Sequence, residues 1–230
     1  MSHEARIREE SILLTGGYPQ LMVKVGQCLL ADLPPRLQST AALILPAAQM
    51  PFPYLLATRT THSPLFIGDP VLENLTWQRE RVGERGIYAL VRTSELPIEI
   101  QALGVVLNPF GLQHDLQNAP HYASLVRERC QTGALLLTLD WGINRYPDSI
   151  ATLVGIAADI RYSTERILAP YGLETGWSLV QEREIPFKLY HPVEAAAQLL
   201  GSEEAAFVRS TFTQDILVES SVCYRHYEAL

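Results

Sequence analysis

The feature that most constrains the fold is an almost unbroken apolar run at residues 134–139, which ends at the acidic residue Asp140. A strand with one wet face alternates apolar and polar side chains, whereas a strand covered on both faces has a nearly continuous apolar sequence. We therefore predict that residues 134–140 form a central strand, with helices on both faces of its sheet.

Helical and strand patterns alternate along the rest of the chain. Apolar spacing and capping residues predict helices at 19–33, 70–82, 120–131, 192–200 and from 202 onward, and a further helix that begins at Asp148 or Ser149 and ends at Pro170. Short apolar runs predict strands at 42–45, 54–58, 65–67, 86–91 and 104–107, and one or two strands within 177–190. Residues 211–230 are compatible with either state, and their spacing slightly favours a helix.

This order of elements predicts an α/β or α+β fold with a mixed, largely parallel central sheet and a C-terminal helical segment. A chain of 230 residues, 47% of them hydrophobic, is long enough to bury one core. We predict a single domain over residues 1–230. The turn-rich stretch 170–176 is the one candidate boundary, for a smaller C-terminal subdomain at 171–230.

Composition and missing motifs exclude several classes of protein. The net charge of −7 makes nucleic acid an unlikely partner, and no apolar stretch reaches the length of a membrane helix. Three scattered cysteines without a CxxC pair predict neither disulfides nor a metal site. The sequence has no phosphate-binding P-loop, GxGxxG, GxSxG or HExxH motif, so we predict no cofactor. A soluble, cytoplasmic protein is expected.

The strongest candidate for catalysis is Asp140, because ligands of open α/β sheets gather outside the carboxyl ends of the strands. Its carboxylate would act as general acid or base, while Arg145 would anchor an anion and Asn144 would contribute to the same site. The structural alternative is an aspartate that caps local amides, with Arg145 paired to it in solvent.

Two other predicted strands also end in polar residues. Asn108 follows the strand at 104–107, and Arg59 and His62 follow the run at 54–58. If these strands are parallel to the one that ends at Asp140, His62 is a second catalytic candidate, with Asn108 and Arg59 as ligand-binding residues. Singly, each is more typical of a loop residue.

The C-terminal segment carries Tyr224, Arg225 and Tyr227, residue types that are enriched in binding hot spots. A segment that docks on a protein partner or on a second subunit would use these side chains. Packing onto the parent domain is the alternative.

Absence of catalytic motifs favours a non-catalytic accessory or regulatory protein that binds other proteins or self-associates. Two alternatives stay open. One is an enzyme for a small anionic metabolite, with Asp140 as acid or base and Arg145 as anchor, and the other is a sensory module that binds a small molecule or nucleotide without turnover.

Overall fold

A computed structural model describes residues 18–92, 96, 100–115, 117–141, 175–191, 193–198, 202–213 and 216–230. The helix predicted to begin at Asp148 or Ser149 lies outside these residues.

Helices and strands alternate through the first part of the chain. The helices are α1 (Tyr18–Asp32), α2 (Phe52–Arg59), α3 (Leu72–Val82), α4 (Gly111–His114), α5 (Ala119–Arg129), α6 (Val193–Gln198) and α7 (Ser202–Thr211), with short 3-10 turns at Pro35–Leu37 and Gly83–Arg85. The strands are β1 (Ala41–Ile44), β2 (Leu65–Asp69), β3 (Gly86–Leu90), β4 (Leu103–Pro109), β5 (Cys130–Trp141), β6 (Trp177–His191) and β7 (Ile216–Ala229).

Contacts group the chain into two compact units. Among the described residues, unit 1 comprises 18–21, 141, 184–191, 193–198, 202–213 and 216–222, and unit 2 comprises 22–92, 96, 100–115, 117–140, 175–183 and 223–230. Within unit 1, α6 and α7 are joined by an exposed ion pair in which Arg209 donates to both carboxylate oxygens of Glu194 at 2.9–3.1 Å. The prediction of one domain with a possible subdomain at 171–230 stays a prediction.

The strands form one seven-stranded sheet in the order β3-β2-β1-β4-β5-β7-β6. The pairs β1/β2, β1/β4, β2/β3 and β4/β5 are all parallel. Between β7 and β6, Leu230 N donates to Gly176 O and Arg225 bonds Glu182, so residue numbers fall on one strand as they rise on the other. These two strands are therefore antiparallel, which makes the sheet mixed.

The core of unit 2 lies where the central strands meet α5. All of β4 is buried, and so are residues 133–140 of β5, as expected for strands covered on both faces. The face of α5 that packs on them repeats every three to four residues through Ala119, Tyr122 and Val126. Trp177 fills the adjoining space, and its indole N–H donates to Ala123 O at 2.8 Å.

The predicted fold class is confirmed, and so is the central position of the strand that ends at Asp140, since β5 lies between β4 and β7. Two local predictions are wrong. Residues 52–59 form a helix instead of a strand at 54–58, and residues 216–229 form strand β7 instead of a helical C-terminal segment.

A physical reason accounts for each of these two differences. In α2 the buried positions are 52, 53, 56 and 57, which is a helical face that a five-residue apolar window is too short to reveal. In β7 residues 221–227 are all buried, so the strand lacks the alternation that marks a half-exposed strand.

Among the helices that the structure describes, none combines the length and the apolar character needed to cross a bilayer.

Candidate active site

The order of the sheet defines a preferred ligand position. The direction in which successive strands are added to the sheet reverses at β1, because β2 lies on one side of β1 and β4 on the other. In open parallel sheets the crevice outside the carboxyl ends of the strands at such a switch point is where ligands bind. The candidate site is therefore the edge formed by the segments that follow β1, β2 and β4.

The segment after β1 and the segment after β4 are in direct contact at this edge. Asn108, fully buried at the end of β4, donates from Nδ2 to Leu45 O at 2.7 Å and accepts from Leu112 N at 2.9 Å. A Cβ at Gly111 would lie 2.4 Å from Pro46 Cδ, so only glycine permits this approach. Asn108 thus ties the two loops together, and its amide is occupied by main-chain partners.

The loop after β1, residues 45–51, contains no glycine. Ala48 nevertheless has φ 46°, in the left-handed region that costs a residue with a Cβ about 1–2 kcal/mol. Gln78, fully buried on α3, donates from Nε2 to Ala48 O at 2.8 Å and to Met50 O at 2.9 Å. Side-chain contacts therefore hold this turn in place.

Asp69, the last residue of β2, is the buried acidic group closest to this turn. Its Oδ2 accepts from Ala48 N at 2.7 Å, and its Oδ1 accepts from Val71 N at 2.8 Å and from Asn74 Nδ2 at 3.0 Å. A carboxylate offers about four acceptor positions, so about one stays open among these contacts. The bond from Val71 N lies just before α3, which begins at Leu72.

Asp140 lies at the carboxyl end of β5, at the same edge of the sheet as Asn108, but it does not face a cleft. The residue is fully buried, and its Oδ2 accepts from Arg225 Nη1 at 2.8 Å. Arg225 is also buried and donates from Nε to Glu182 at 2.6 Å. This buried ion pair joins β5 to β7, which is a structural role rather than that of a general acid or base.

Arg59 and His62 lie at the opposite edge of the sheet. Since 52–59 is a helix, Arg59 ends the crossover that returns the chain to the amino end of β2, and it is exposed there. The buried His62 donates from Nδ1 to Thr40 O at 2.8 Å, just before β1 begins. Of the predicted strand-end residues, Asn108 and Asp140 therefore share one edge of the sheet, and Arg59 and His62 do not lie at it.

The remaining predicted site residues are the pair that follows Asp140 and the three residues near the C-terminus. Asn144 and Arg145 lie outside the described residues. Tyr224, Arg225 and Tyr227 are buried in β7, where the Tyr224 ring stacks edge-on against His226 at 4.5 Å. These side chains pack within their own chain, so they do not form the exposed docking segment that was predicted.

A shallow depression opens beside the segment that follows β4. It is lined by Gly111, Leu112, Asp115, Asn118, Ala119 and Tyr122. Burial raises the pKa of the Tyr122 hydroxyl, which therefore stays neutral. Sites for cofactor-sized ligands enclose about 300–1,000 Å³, so this shallow depression would hold only part of such a ligand.

Sequence reasoning missed Asp69 and Gln78 as site residues. A signal for Asp69 existed, because it ends an apolar strand and follows Ala48 by 21 residues, close to the spacing of the acidic residue in dinucleotide-binding sheets. Gln78 carried no such signal, since its contacts with the loop span 28 and 30 residues of sequence.

Neither a protein-family model nor a curated protein sequence matches the chain. Solved structures share its fold over most of its length. A candidate methyltransferase of Bacillus halodurans is 12% identical, with a TM-score of 0.62 over 90% of this chain and 97% of that one. Geranyl diphosphate methyltransferase in complex with S-adenosylmethionine (SAM) is 9% identical, with a TM-score of 0.59 over 94% and 91%.

A third similar structure is a phosphoethanolamine N-methyltransferase of Haemonchus contortus that holds S-adenosylhomocysteine (SAH). It is 12% identical, with a TM-score of 0.58 over 90% of this chain and 52% of that one. At these identities the likeness establishes the fold. The prediction of a non-catalytic accessory or regulatory protein is contradicted, because these three similar structures are described as methyltransferases.

Proposed function

We propose that this chain is a methyltransferase that uses SAM as methyl donor and binds it at the carboxyl edge between β1 and β4. The observation that carries the proposal is the fold, a seven-stranded sheet in a chain that is similar to methyltransferase structures over about nine-tenths of its length. Asn108 marks the switch point of that order, which is where a doubly wound sheet binds its ligand.

Asp69 fits the ribose of such a donor. An acidic residue about 20 positions after the first strand-to-helix turn accepts hydrogen bonds from ribose hydroxyls in doubly wound folds. Asp69 has this spacing from Ala48 and is 1% exposed. Because about one of its four acceptor positions is open, a ribose diol would take that position and the one now held by Ala48 N.

The loop after β1 departs from the usual nucleotide-binding sequence. Such loops carry glycines that let the main chain approach the ligand, whereas this loop has Pro46, Ala47 and Ala48. The left-handed conformation of Ala48 reproduces one turn that glycine would make. The turn therefore fits the proposed role although its sequence does not.

When bound, SAM supplies an electrophilic methyl group on a sulfonium ion. The contribution of this chain is to bind and orient, since holding two reactants in line supplies much of the rate of a transfer reaction. Asp69 fixes the ribose end, and Asn108 keeps the loops after β1 and β4 at a fixed separation.

Isothermal titration calorimetry with SAH tests the proposal without turnover. The wild-type protein should bind SAH, and Asp69→Asn should raise the Kd about tenfold or more, since hydrogen bonds to a charged group contribute about 1.5–3 kcal/mol. Asp32→Asn is the matched control, because Asp32 is also mostly buried but pairs with Arg183 at 3.0 Å. Failure of the wild-type protein to bind SAH or SAM at millimolar concentration would contradict the proposal.

A further inference from the structure

A turn without glycine needs another source of rigidity if it is to serve as a binding loop. The loop after β1 starts at Leu45, whose N–H donates to Leu107 O, and Ala47 N donates to Gly68 O at 2.9 Å. Beyond these two main-chain bonds, the left-handed turn at Ala48 is held by side chains.

Gln78 supplies most of those side-chain bonds. Its Nε2 lies 2.8 Å from Ala48 O, 2.9 Å from Met50 O and 3.5 Å from Ala47 O, so a single amide nitrogen faces three successive parts of the turn. The side chain is fully buried, and its Oε1 has no hydrogen-bond partner among the described residues. The bonds of this amide are therefore directed to the loop alone.

Asp69 completes the arrangement from the neighbouring strand. It accepts from Ala48 N, while Gln78 donates to Ala48 O, so both polar groups of Ala48 are held by side chains of β2 and α3. A ribose that takes the Ala48 position on Asp69 would leave the bonds from Gln78 as the remaining side-chain support of the turn.

We propose that Gln78 is a positioning residue that pre-organises the donor-binding loop and replaces the glycine-rich sequence usual at this place. The inference rests on the proposed function. A loop already ordered in the free protein loses little conformational freedom on binding, and that loss otherwise weakens affinity. Gln78 acts through the loop and does not itself contact the donor.

The test compares Gln78→Met with the wild-type protein by two measurements. Methionine has a similar length and no N–H donor, so the loop loses its bonds while the site stays filled. Exchange of the Ala48 amide, followed by NMR without ligand, should become about tenfold faster. The Kd for SAH, measured by calorimetry where circular dichroism shows both proteins folded, should rise about tenfold.

The matched control is Gln38→Met. Gln38 also donates from Nε2 to a main-chain carbonyl, Leu33 O at 3.2 Å, but it precedes β1 at the amino edge of the sheet. This variant should change neither measurement. If Gln78→Met does not fold, Gln78→Asn keeps the amide but is too short to reach the loop, and the same two changes are expected.

The outcomes separate this inference from the proposed function. If the wild-type protein binds SAH and Gln78→Met binds it equally well, the inference is overturned and the proposed function stands. Faster exchange at Ala48 with an unchanged Kd overturns it as well, because the role is then structural only. If the wild-type protein binds no SAH, the proposed function fails and the inference fails with it.

Discussion

At the scale of single residues, the buried ion pair of Arg225 and Asp140 gives a prediction about the stability of unit 2. Arg225→Met should lower the free energy of unfolding by about 3–5 kcal/mol, because the buried carboxylate loses the guanidinium that faces it. Urea denaturation measures the change. In the double variant with Asp140→Leu most of the loss should be recovered, since an apolar pair of similar volume replaces the ionic one.

Arg36→Met provides the control for this prediction. Arg36 pairs with Glu228 on the same strand, β7, at 3.4 Å, but the two side chains are 60% and 40% exposed. An exposed pair contributes well under about 1 kcal/mol, so this variant should unfold almost like the wild-type protein. A double variant no more stable than Arg225→Met alone would show that the two residues are not coupled.

Two buried histidines predict how stability depends on pH. Burial lowers the pKa of His62 and of His226 below the ordinary value of 6.5, with Arg85 adding to the effect at His62 and Arg183 at His226. The unfolded chain therefore binds more protons than the folded one as the pH falls below 6.5. The contribution of the two neutral histidines to the free energy of unfolding is complete above pH 6.5. It is lost as the pH falls toward their pKa values in the folded protein.

The expected slope is at most about 1.4 kcal/mol per pH unit for each histidine. Urea midpoints between pH 7.5 and 5.5 measure it, and His62→Asn should reduce it, since asparagine keeps a donor toward Thr40 O without titrating. If His62→Asn has the same slope as the wild-type protein, protonation of His62 does not contribute to the pH dependence of stability.

At the scale of elements, glycine substitutions at two neighbouring residues of the turn after β1 should change the free energy of unfolding in opposite directions. Ala48→Gly should raise the free energy of unfolding by up to about 1 kcal/mol, because glycine adopts a positive φ without the cost of a Cβ. Ala47→Gly, one position earlier and fully buried, should lower it by about 0.5–1 kcal/mol. Equal losses in the two variants would mean that Ala48 carries no strain.

Most strands were predictable from sequence, because strands buried on both faces leave a continuous apolar signature at 134–140 and at 104–107. The helix at 52–59 was not predictable because its apolar run is too short to reveal a helical face. The strand at 216–229 was not predictable because its buried residues do not alternate with exposed ones. The edge that holds Asn108 and Asp140 followed from the strand ends, but their internal partners, Leu45 and Arg225, lie 63 and 85 residues away.

At the scale of the whole molecule, the order of the strands decides which edge of the sheet can bind a ligand. Parallel pairing of β1 with β2 and β4 brings the segments after Ile44, Asp69 and Pro109 to one edge. The opposite edge receives Thr40, Arg59 and His62. If the binding site lies at the switch point, a ligand should change the environment of residues at the carboxyl edge and leave residues at the amino edge unchanged.

Amide NMR shifts recorded during titration of the wild-type protein with SAH test this claim most directly. We expect the largest shifts at the amides of Ala48, Val71 and Leu112, which lie at the carboxyl edge, and unchanged signals for Thr40 and Thr61 at the amino edge. Shifts confined to the amino edge, or none at saturating SAH, would contradict the account.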